Sequence, residues 1–268
     1  MDGQHPSLRG DEDSNVLVAD EADHPLVALV GPPNSGKTTL FNQLTGLRQK
    51  VANYPGVTVE KHVGRVRLPS GGELDLVDLP GVHGFSARTL DERVTKDVLE
   101  GKVEGVRAPD ALVLIVDSTR LENQLMLVEP VLELGLPTLL VLNMSDELTE
   151  RGGSVDDSAL AERLGVDIVR TSARTGAGVD GVRGYLEGVR VVPGGPETVE
   201  RQLANVKPGT ALPVVDAFTA RRRLVREIVD DADFVSPGPS ALTERLDSVF
   251  LHKIGGPLIF LAVVLLVF

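Results

Sequence analysis

Short apolar runs alternate along residues 24–190 with amphipathic stretches that have the length of helices. The apolar runs predict six β-strands, at residues 26–31, 61–68, 73–81, 111–119, 137–146 and 167–173. The amphipathic stretches predict five helices, at residues 37–45, 90–104, 121–134, 157–164 and 179–189. Because this alternation is typical of βαβ units, we expect an α/β fold with a doubly wound, mostly parallel six-stranded sheet.

The segment PSGGE, at residues 69–73, separates the second and third predicted strands. Its glycines are typical of a hairpin turn, which joins antiparallel strands. We therefore expect one antiparallel pair within an otherwise parallel sheet. The ligand of such a fold is expected beyond the carboxyl ends of the parallel strands.

The composition changes on both sides of the α/β region. Residues 1–23 are acidic and poor in apolar side chains, which predicts a disordered tail before a domain at residues 24–190. Prolines and glycines then become frequent, and we expect a linker and a small helical spacer at residues 191–250. The helices of this spacer are predicted at residues 214–235 and 240–254.

The last segment, GGPLIFLAVVLLVF at residues 255–268, is apolar on every side. A dozen apolar residues span about 18 Å as a helix, against about 30 Å for a hydrocarbon core, so a buried terminal helix is the alternative. A small spacer cannot cover all faces of such a helix. We therefore interpret residues 251–268 as the start of a first transmembrane helix, and His252 and Lys253 place the preceding domains on the cytoplasmic side.

The charge and the cysteine count exclude two classes of protein. The net charge is −12, from 39 acidic and 27 basic residues, whereas nucleic-acid binders carry a basic face. The chain has no cysteine, which excludes a disulfide framework and thiolate metal sites. No nucleic-acid partner is therefore expected.

The segment GPPNSGKT at residues 31–38 matches the phosphate-binding pattern G-x-x-x-x-G-K-[ST]. It lies between a predicted strand and a predicted helix, which is the required context, although a glycine turn without a ligand is the alternative. Lys37 would neutralise the phosphate oxygens, and Thr38 would offer a hydroxyl to Mg²⁺. The predicted contacts are Gly31, Pro32, Pro33, Asn34, Ser35, Gly36, Lys37, Thr38 and Thr39.

Two further segments are expected near the γ-phosphate. Asp78 begins DLPG at the end of the third predicted strand and can hold Mg²⁺ through water, while the Gly81 N–H can meet the γ-phosphate. Thr58, in a turn-rich stretch, can complete the Mg²⁺ shell and leave it after hydrolysis, although it could instead begin a strand. Predicted contacts in these segments are Gly56, Val57, Thr58, Asp78, Leu79, Pro80 and Gly81, with Thr38, Thr58 and Asp78 as the Mg²⁺ ligands.

The segment NMSD, after the fifth predicted strand, indicates which base is bound. Asn143 and Asp146 have the N-x-x-D spacing, and the Asp146 carboxylate can accept hydrogen bonds from the ring N–H and the amine of guanine. Adenine would leave that carboxylate unpaired, so an ATPase is disfavoured. We expect the base to be contacted by Asn143, Met144, Asp146, Ser172, Ala173 and Arg174.

These motifs, with RQKVANYPGVTVEKHVG and DLPGVHGFSARTLDERV, resemble the cytoplasmic GTPase domain of the ferrous iron transport protein B (FeoB) family. The segment LTERLDSVFLHKIGGPLIFL resembles that family's approach to the membrane domain. The resemblance implies a G domain that binds GTP or GDP, a helical spacer that modulates nucleotide release, and a membrane domain that moves Fe²⁺ inward. It also implies a cell-membrane location, small cytoplasmic regulators of iron transport and self-association as further partners.

The resemblance implies a mechanism as well. Val82 stands where small GTPases place a glutamine that orients water. In FeoB-like GTPases an asparagine at the place of Asn34 helps to bind K⁺, which supplies positive charge, although Asn34 could serve loop geometry alone. The residues implied in catalysis are Lys37, Asn34 and Thr58, and hydrolysis should be slow and K⁺-stimulated. The chain departs from the family in having ARRRLVREI without the usual Arg-Tyr pair, and Tyr54 in place of Trp.

Three functions are consistent with the sequence. The first is the GTP-hydrolysing cytoplasmic module of a ferrous iron transporter. The second is a soluble regulatory GTPase of the ribosome-assembly type, which would usually carry a basic RNA-binding domain instead of this acidic one. The third is a GTP-binding scaffold with little turnover, which Val82 suggests.

Overall fold

The chain contains a seven-stranded mixed sheet with helices on both faces. The structure is a computed structural model that describes residues 24–47, 49–84, 89–189, 217–252 and 255–267, so the predicted tail and most of the predicted linker lie outside the described residues. The strands are β1 Leu26–Val30, β2 Gln49–Asn53, β3 Glu60–Arg67, β4 Glu73–Asp78, β5 Ala111–Asp117, β6 Thr138–Asn143 and β7 Asp167–Arg170. Their order across the sheet is β2-β3-β4-β1-β5-β6-β7.

The prediction of a mostly parallel α/β sheet is confirmed, and the prediction of six strands is wrong. Strands β4, β1, β5, β6 and β7 are parallel, while β2 and β3 form two antiparallel pairs with their neighbours instead of one. The predicted hairpin turn is present, with the Leu68 N–H donating to the Gly72 carbonyl at 2.8 Å. The missed strand β2 is a polar edge strand, and its Val51 side chain is 56% exposed. Because the strand buries neither face, its sequence lacks the alternation of apolar and polar residues by which a strand is predicted.

Six helices accompany the sheet, and their bounds correct the sequence prediction at several ends. They are α1 Lys37–Thr45, α2 Leu90–Leu99, α3 Leu121–Leu132, α4 Ser145–Glu150, α5 Asp157–Leu164 and α6 Val179–Gly188. Helix α2 ends five residues before its predicted end, because the Lys102 N–H bonds back to the Asp97 carbonyl and closes the last turn. Helix α4 was not predicted, and strand β6 ends at Asn143 instead of residue 146 because Met144 adopts a left-handed conformation with φ 59°.

Each face of the sheet buries its own apolar core. One core lies under α2, α3 and α5, and the other lies under α1 and α6. All residues of β5 and β6 are buried, as expected for central parallel strands covered on both faces. The loops that follow these strands therefore begin directly from fully buried strands.

Beyond residue 216 the structure describes three more helices, which are α7 Ala217–Asp231, α8 Ala241–Phe250 and α9 Gly255–Val267. Helix α7 buries Val225 and Ile228 in the core under α3 and α5, and Arg221 forms an ion pair with Glu129 of α3. Helix α8 begins as predicted, with the Ser240 hydroxyl accepting from the Thr243 N–H at 3.2 Å. The first spacer helix thus packs directly on the α/β domain.

Helix α9 contains most of the apolar C-terminal segment. Most of its large side chains are exposed, and Leu266 is 88% exposed. Among the described residues, no helix is both long enough and apolar enough to cross a membrane.

Candidate functional site

The predicted site residues converge on the edge of the sheet where the parallel strands end. The loop 31–36 follows β1, Asp78 ends β4, and Asn143 ends β6. The loop after β7 carries Ser172, Ala173 and Arg174 beside them. This is the expected position for a ligand site in a doubly wound sheet.

The loop 31–36 connects β1 to α1 and contains two glycines. Any other residue at either position would force neighbouring atoms to move. A Cβ on Gly31 would lie 2.4 Å from the Ile115 carbonyl oxygen. Gly36 has φ +86°, and a Cβ there would lie 2.1 Å from Nδ2 of Asn143. Asn34 also has a positive φ of 64° and an exposed side chain, so its amide is available on the open side of the loop.

Lys37, Thr38 and Asp78 meet at the start of α1. Lys37 forms an ion pair with Oδ1 of Asp78, and the Thr38 hydroxyl donates to Oδ2 at 3.4 Å. Asp78 is only 6% exposed, so its charge requires a nearby partner. A hydroxyl and a carboxylate side by side are the oxygen ligands that Mg²⁺ prefers, and the donor set therefore fits this ion.

The segment after Asp78 lies directly against the phosphate-binding loop. A Cβ on Gly81 would come within 3.1 Å of the Pro33 ring, and the Val82 N–H donates to the Gly31 carbonyl at 3.2 Å. The Val82 side chain is 1% exposed and packs in the core under α2. It cannot orient a water molecule, which agrees with the interpretation of this position in the sequence.

The Asn143 side chain joins the predicted base-binding loops to the phosphate-binding loop. Its Nδ2 donates to the Ser35 carbonyl at 2.8 Å. Its Oδ1 accepts from the Thr171 hydroxyl at 3.1 Å and from the Ala173 N–H at 2.9 Å. Since Asn143 is 2% exposed, these bonds fix the loops relative to one another in a buried setting.

Asp146 lies in the first turn of α4 with its carboxylate partly exposed. The Ser172 hydroxyl donates to its Oδ2 at 2.7 Å, and Arg174 approaches the same oxygen at 3.7 Å. The Ser172 hydrogen bond is the main cause that lowers the pKa of Asp146 below its ordinary value of 3.8. The carboxylate is therefore ionised at neutral pH and can accept two N–H donors.

Thr58 is a predicted Mg²⁺ ligand that the structure does not bring to the others, and the predicted contacts Gly56 and Val57 lie in the same turn. It lies exposed in the turn between β2 and β3, where the Val57 N–H donates to the Tyr54 carbonyl at 3.2 Å. Within the described part of the chain, no hydrogen bond joins Thr58 to Thr38 or to Asp78. Its position relative to Thr38 and Asp78, the other predicted Mg²⁺ ligands, would have to change for it to join them.

Three side chains support the site without having been predicted. The Ser118 hydroxyl donates to the Asn143 carbonyl at 2.7 Å, Thr171 bonds the Asn143 amide, and Nε2 of Gln43 donates to the Ala173 carbonyl at 3.3 Å. Ser118 and Thr171 directly follow β5 and β7, so their place at the carboxyl end of a predicted parallel strand was a usable signal. Gln43 lies inside α1, and its position in the sequence gave no signal that it would support the site.

Comparison with known proteins identifies a family whose members this chain resembles. Residues 26–185 match the family model described as Ferrous iron transport protein B. The Fe(2+) transporter FeoB of Synechocystis sp. is 34% identical over 238 residues, which cover 88% of this chain and 36% of that protein. The Fe(2+) transport protein A/Fe(2+) transporter FeoB fusion protein of Porphyromonas gingivalis is 30% identical and covers 90% of this chain. The chain spans 25% of the length of that relative.

A solved structure gives the same result at the level of the fold. The cytosolic domain of the T. maritima FeoB iron transporter in its GMPPNP form is 30% identical, with a TM-score of 0.62. The match covers 79% of this chain and 99% of that domain. The chain is thus similar to FeoB proteins over the α/β domain and part of the helices that follow.

Proposed function

The chain belongs to the ferrous iron transport protein B family, and on that premise we propose that it is the GTP-binding and GTP-hydrolysing cytoplasmic module of a membrane Fe²⁺ transporter. The observation that carries the proposal is that predicted phosphate-binding and predicted base-binding side chains lie at the same edge of the sheet. Lys37 and Thr38 face the Asp78 carboxylate, and Asp146 offers an ionised carboxylate at the other end of the same site.

In this proposal the phosphates lie on the N-terminus of α1. The N–H groups of the loop 31–36 turn toward the β-phosphate, and the Lys37 amine leaves Asp78 to bind the β- and γ-phosphate oxygens. Thr38, Asp78 and, with GTP, Thr58 would hold Mg²⁺. Mg²⁺ bound there would neutralise negative charge on the phosphate oxygens.

Guanine selection is assigned to Asp146 and the loop after β7. The Asp146 carboxylate accepts from the ring N–H and the amine of guanine, and the backbone at Ser172 and Ala173 meets the guanine oxygen. Adenine offers no matching pair of donors, so the ionised carboxylate would lose contact with water without gaining the two hydrogen bonds that guanine supplies. Met144 and Arg174 flank the base, and Asn143 holds the loops in register.

Hydrolysis is proposed to be slow and stimulated by K⁺. Val82 is buried and provides no polar group, so the chain must stabilise the transition-state charge in another way. The exposed amide of Asn34 lies on the phosphate-binding loop, where a K⁺ ion bound with its help would supply that charge. The loop residues 31–39, the segment 78–81 and the turn around Gly56, Val57 and Thr58 then provide the remaining contacts.

The domains and the location are part of the same proposal. Residues 24–190 form the G domain, residues 191–250 the linker and spacer, and residues 251–268 the start of a transmembrane helix whose exposed apolar side chains meet lipid. The region then lies on the cytoplasmic side of the cell membrane, and the spacer modulates nucleotide release. The fusion found in P. gingivalis supports a small cytoplasmic partner, and self-association is a further expectation.

The decisive experiment measures phosphate release from GTP by the full chain in matched KCl and NaCl buffers. Three variants accompany the wild type: Asn34→Ala, Asn34→Gly and, as a control, Asn123→Ala at an exposed position of α3. Asn34→Gly retains a residue suited to φ 64° but removes the amide. We expect faster turnover in K⁺ for the wild type and the control, and loss of that difference in both Asn34 variants.

Each alternative function predicts a different result. If Asn34→Gly retains K⁺ stimulation while Asn34→Ala loses it, Asn34 serves loop geometry and the K⁺ assignment is wrong. If no salt supports turnover although GTP binds, the chain is a GTP-binding scaffold. The ribosome-assembly alternative is disfavoured by the family match, and retention of RNA by the chain would be needed to revive it.

A further inference from the structure

Tyr54 is a buried aromatic residue in a turn whose Pro55, Gly56 and Thr58 are exposed. Its side chain is 2% exposed and belongs to the same apolar cluster as Leu79 and Val82, on the segment that runs past Asp78. The Lys61 amine lies 5.9 Å above the centre of the ring. Tyr54 therefore anchors the turn against the segment that carries the proposed Mg²⁺ ligand.

The Tyr54 hydroxyl is buried without a hydrogen-bond partner among the described residues. Burial raises the pKa of this hydroxyl, and the nearby Asp78 carboxylate raises it further, so the group stays protonated with a donor to offer. A buried donor without an acceptor destabilises the arrangement that contains it. The anchored position of the turn is therefore less stable than the burial of the ring alone would make it.

Tyr54 and Thr58 belong to one compact turn. The Tyr54 N–H donates to the Val59 carbonyl at 2.9 Å, and the Val57 N–H donates back to the Tyr54 carbonyl at 3.2 Å. These bonds enclose Thr58, so the ring and the threonine hydroxyl move together unless the turn opens. An open depression of about 600 Å³, lined by Tyr54, Thr58 and Leu90 among others, borders the turn and leaves room for movement.

We propose that Tyr54 is a positioning residue that sets the balance between GTP and GDP, because its hydroxyl lacks a partner in the anchored turn and gains one when the turn moves. This inference rests on the proposed role of Thr58 as a ligand that joins the site with GTP. When Thr58 moves toward Thr38 and Asp78, the turn carries Tyr54 out of its present contacts. The unpaired hydroxyl lowers the cost of that movement and so favours the GTP-bound arrangement.

The chain contains a matched control for the test. Tyr185 of α6 also has a buried hydroxyl without a partner among the described residues, and burial, with a smaller effect of Asp167, raises its pKa to about 12. It packs in the core on the other face of the sheet, away from the turn. Tyr54→Phe and Tyr185→Phe thus remove the same kind of group from two places, and only one of them is in the turn.

The experiment measures the affinities of the full chain for GDP and for the non-hydrolysable analogue GMPPNP, together with the melting temperature without nucleotide. We expect both Phe variants to melt at or above the wild-type temperature. Only Tyr54→Phe should lower the ratio of GMPPNP affinity to GDP affinity, by about fivefold. An unpaired buried hydroxyl changes an equilibrium by a factor of about this size. A GMPPNP-to-GDP ratio that is unchanged in Tyr54→Phe, or changed equally in Tyr185→Phe, would overturn the inference.

Thr58→Ala separates this inference from the proposed function. A lower GMPPNP-to-GDP ratio in Thr58→Ala with an unchanged ratio in Tyr54→Phe contradicts the inference and leaves the role of Thr58 standing. An unchanged ratio in Thr58→Ala contradicts the assigned role of Thr58, and with it the premise of the inference. A lower ratio in both variants supports both.

Discussion

The Asn143 side chain donates a hydrogen bond to the main-chain carbonyl of Ser35 at 2.8 Å, across 108 residues of sequence. This bond fixes the spacing between the loop that would hold phosphates and the loop that would hold the base. Because the bond is buried, it is protected from water and should contribute to folding as well as to binding.

Asn143→Ala should therefore lower both stability and nucleotide affinity. The substitution leaves the Ser35 carbonyl and the Ala173 N–H without their partner, at a cost of about 2–4 kcal/mol in the free energy of unfolding. Chemical denaturation and GDP titration measure the two effects. Asn123→Ala, at an exposed site, should change neither quantity, and equal behaviour of the two variants would contradict the proposed role of the bond.

Gly36→Ala should abolish nucleotide binding. The added methyl group would overlap Nδ2 of Asn143 at a residue with φ +86°, so both the backbone and the bond to Ser35 are disturbed. Gly46→Ala is the matched control, because Gly46 has φ +63° but open space around a Cβ. The control should cost about 1 kcal/mol of stability and retain affinity for GDP, which isothermal titration can measure.

Asp146→Asn should change the base preference instead of only weakening binding. The amide no longer accepts both donors of guanine, but its N–H can donate to the second oxygen of xanthine. Affinity for GDP should fall about 100-fold while affinity for xanthosine diphosphate rises, since each 1.4 kcal/mol changes affinity tenfold. Competition binding with GDP, XDP and ADP tests this, and an unchanged order of preference would exclude Asp146 as the base-reading residue.

Ser172→Ala should raise the pKa of Asp146. The Ser172 hydroxyl is the main group that holds this pKa below 3.8, so its removal returns the carboxyl toward its ordinary value. A pKa that is lower in the folded state contributes stability above pH 3.8, and this contribution is lost as the pH falls through the folded-state pKa. The pH titration of the Asp146 carboxyl carbon by NMR should show an upward shift in the variant, and identical curves would contradict the assignment.

Ile228→Ala should destabilise the whole domain, because α7 belongs to its core. The Ile228 side chain is 4% exposed, and truncation of such a residue costs about 2–4 kcal/mol. Asp230→Ala, two residues away and exposed, should remain within about 0.5 kcal/mol of the wild type. If Ile228→Ala unfolds only the spacer, with the remaining transition unchanged, α7 does not stabilise the sheet.

The sequence predicted the parts of the site that depend on local spacing. The loop 31–38 has a fixed pattern, and Asn143 and Asp146 lie at the expected interval, so their common place at the ends of strands could be inferred. The partners of Asn143 could not, because a bond to a residue more than a hundred positions away leaves no periodic signal. The Tyr54 hydroxyl, which has no hydrogen-bond partner in the part of the chain that the structure describes, likewise depends on what surrounds it in space.

The errors in the predicted fold have a physical cause. Strand β2 lies at the edge of the sheet and is held by main-chain hydrogen bonds to β3. Its residues therefore need not alternate between apolar and polar side chains. Helix α4 was hidden because Met144 turns the chain sharply after an entirely buried strand, and a left-handed methionine is not expected from sequence. Both errors lie where backbone geometry, and not side-chain burial, decides the structure.

Because β5 and β6 are buried, different parts of the chain should open to solvent at different rates. Amide hydrogens in these strands should exchange with solvent only on global unfolding, whereas those of the turn 54–59, beside an edge strand, should exchange through local opening. By this expectation, the predicted base-binding loop follows slowly exchanging strands, whereas the amides of the turn that carries Thr58 exchange faster. Under the proposed function, the guanine contacts therefore lie beside strands that open only with the whole domain, and the γ-phosphate contact of Thr58 lies in a turn that opens locally.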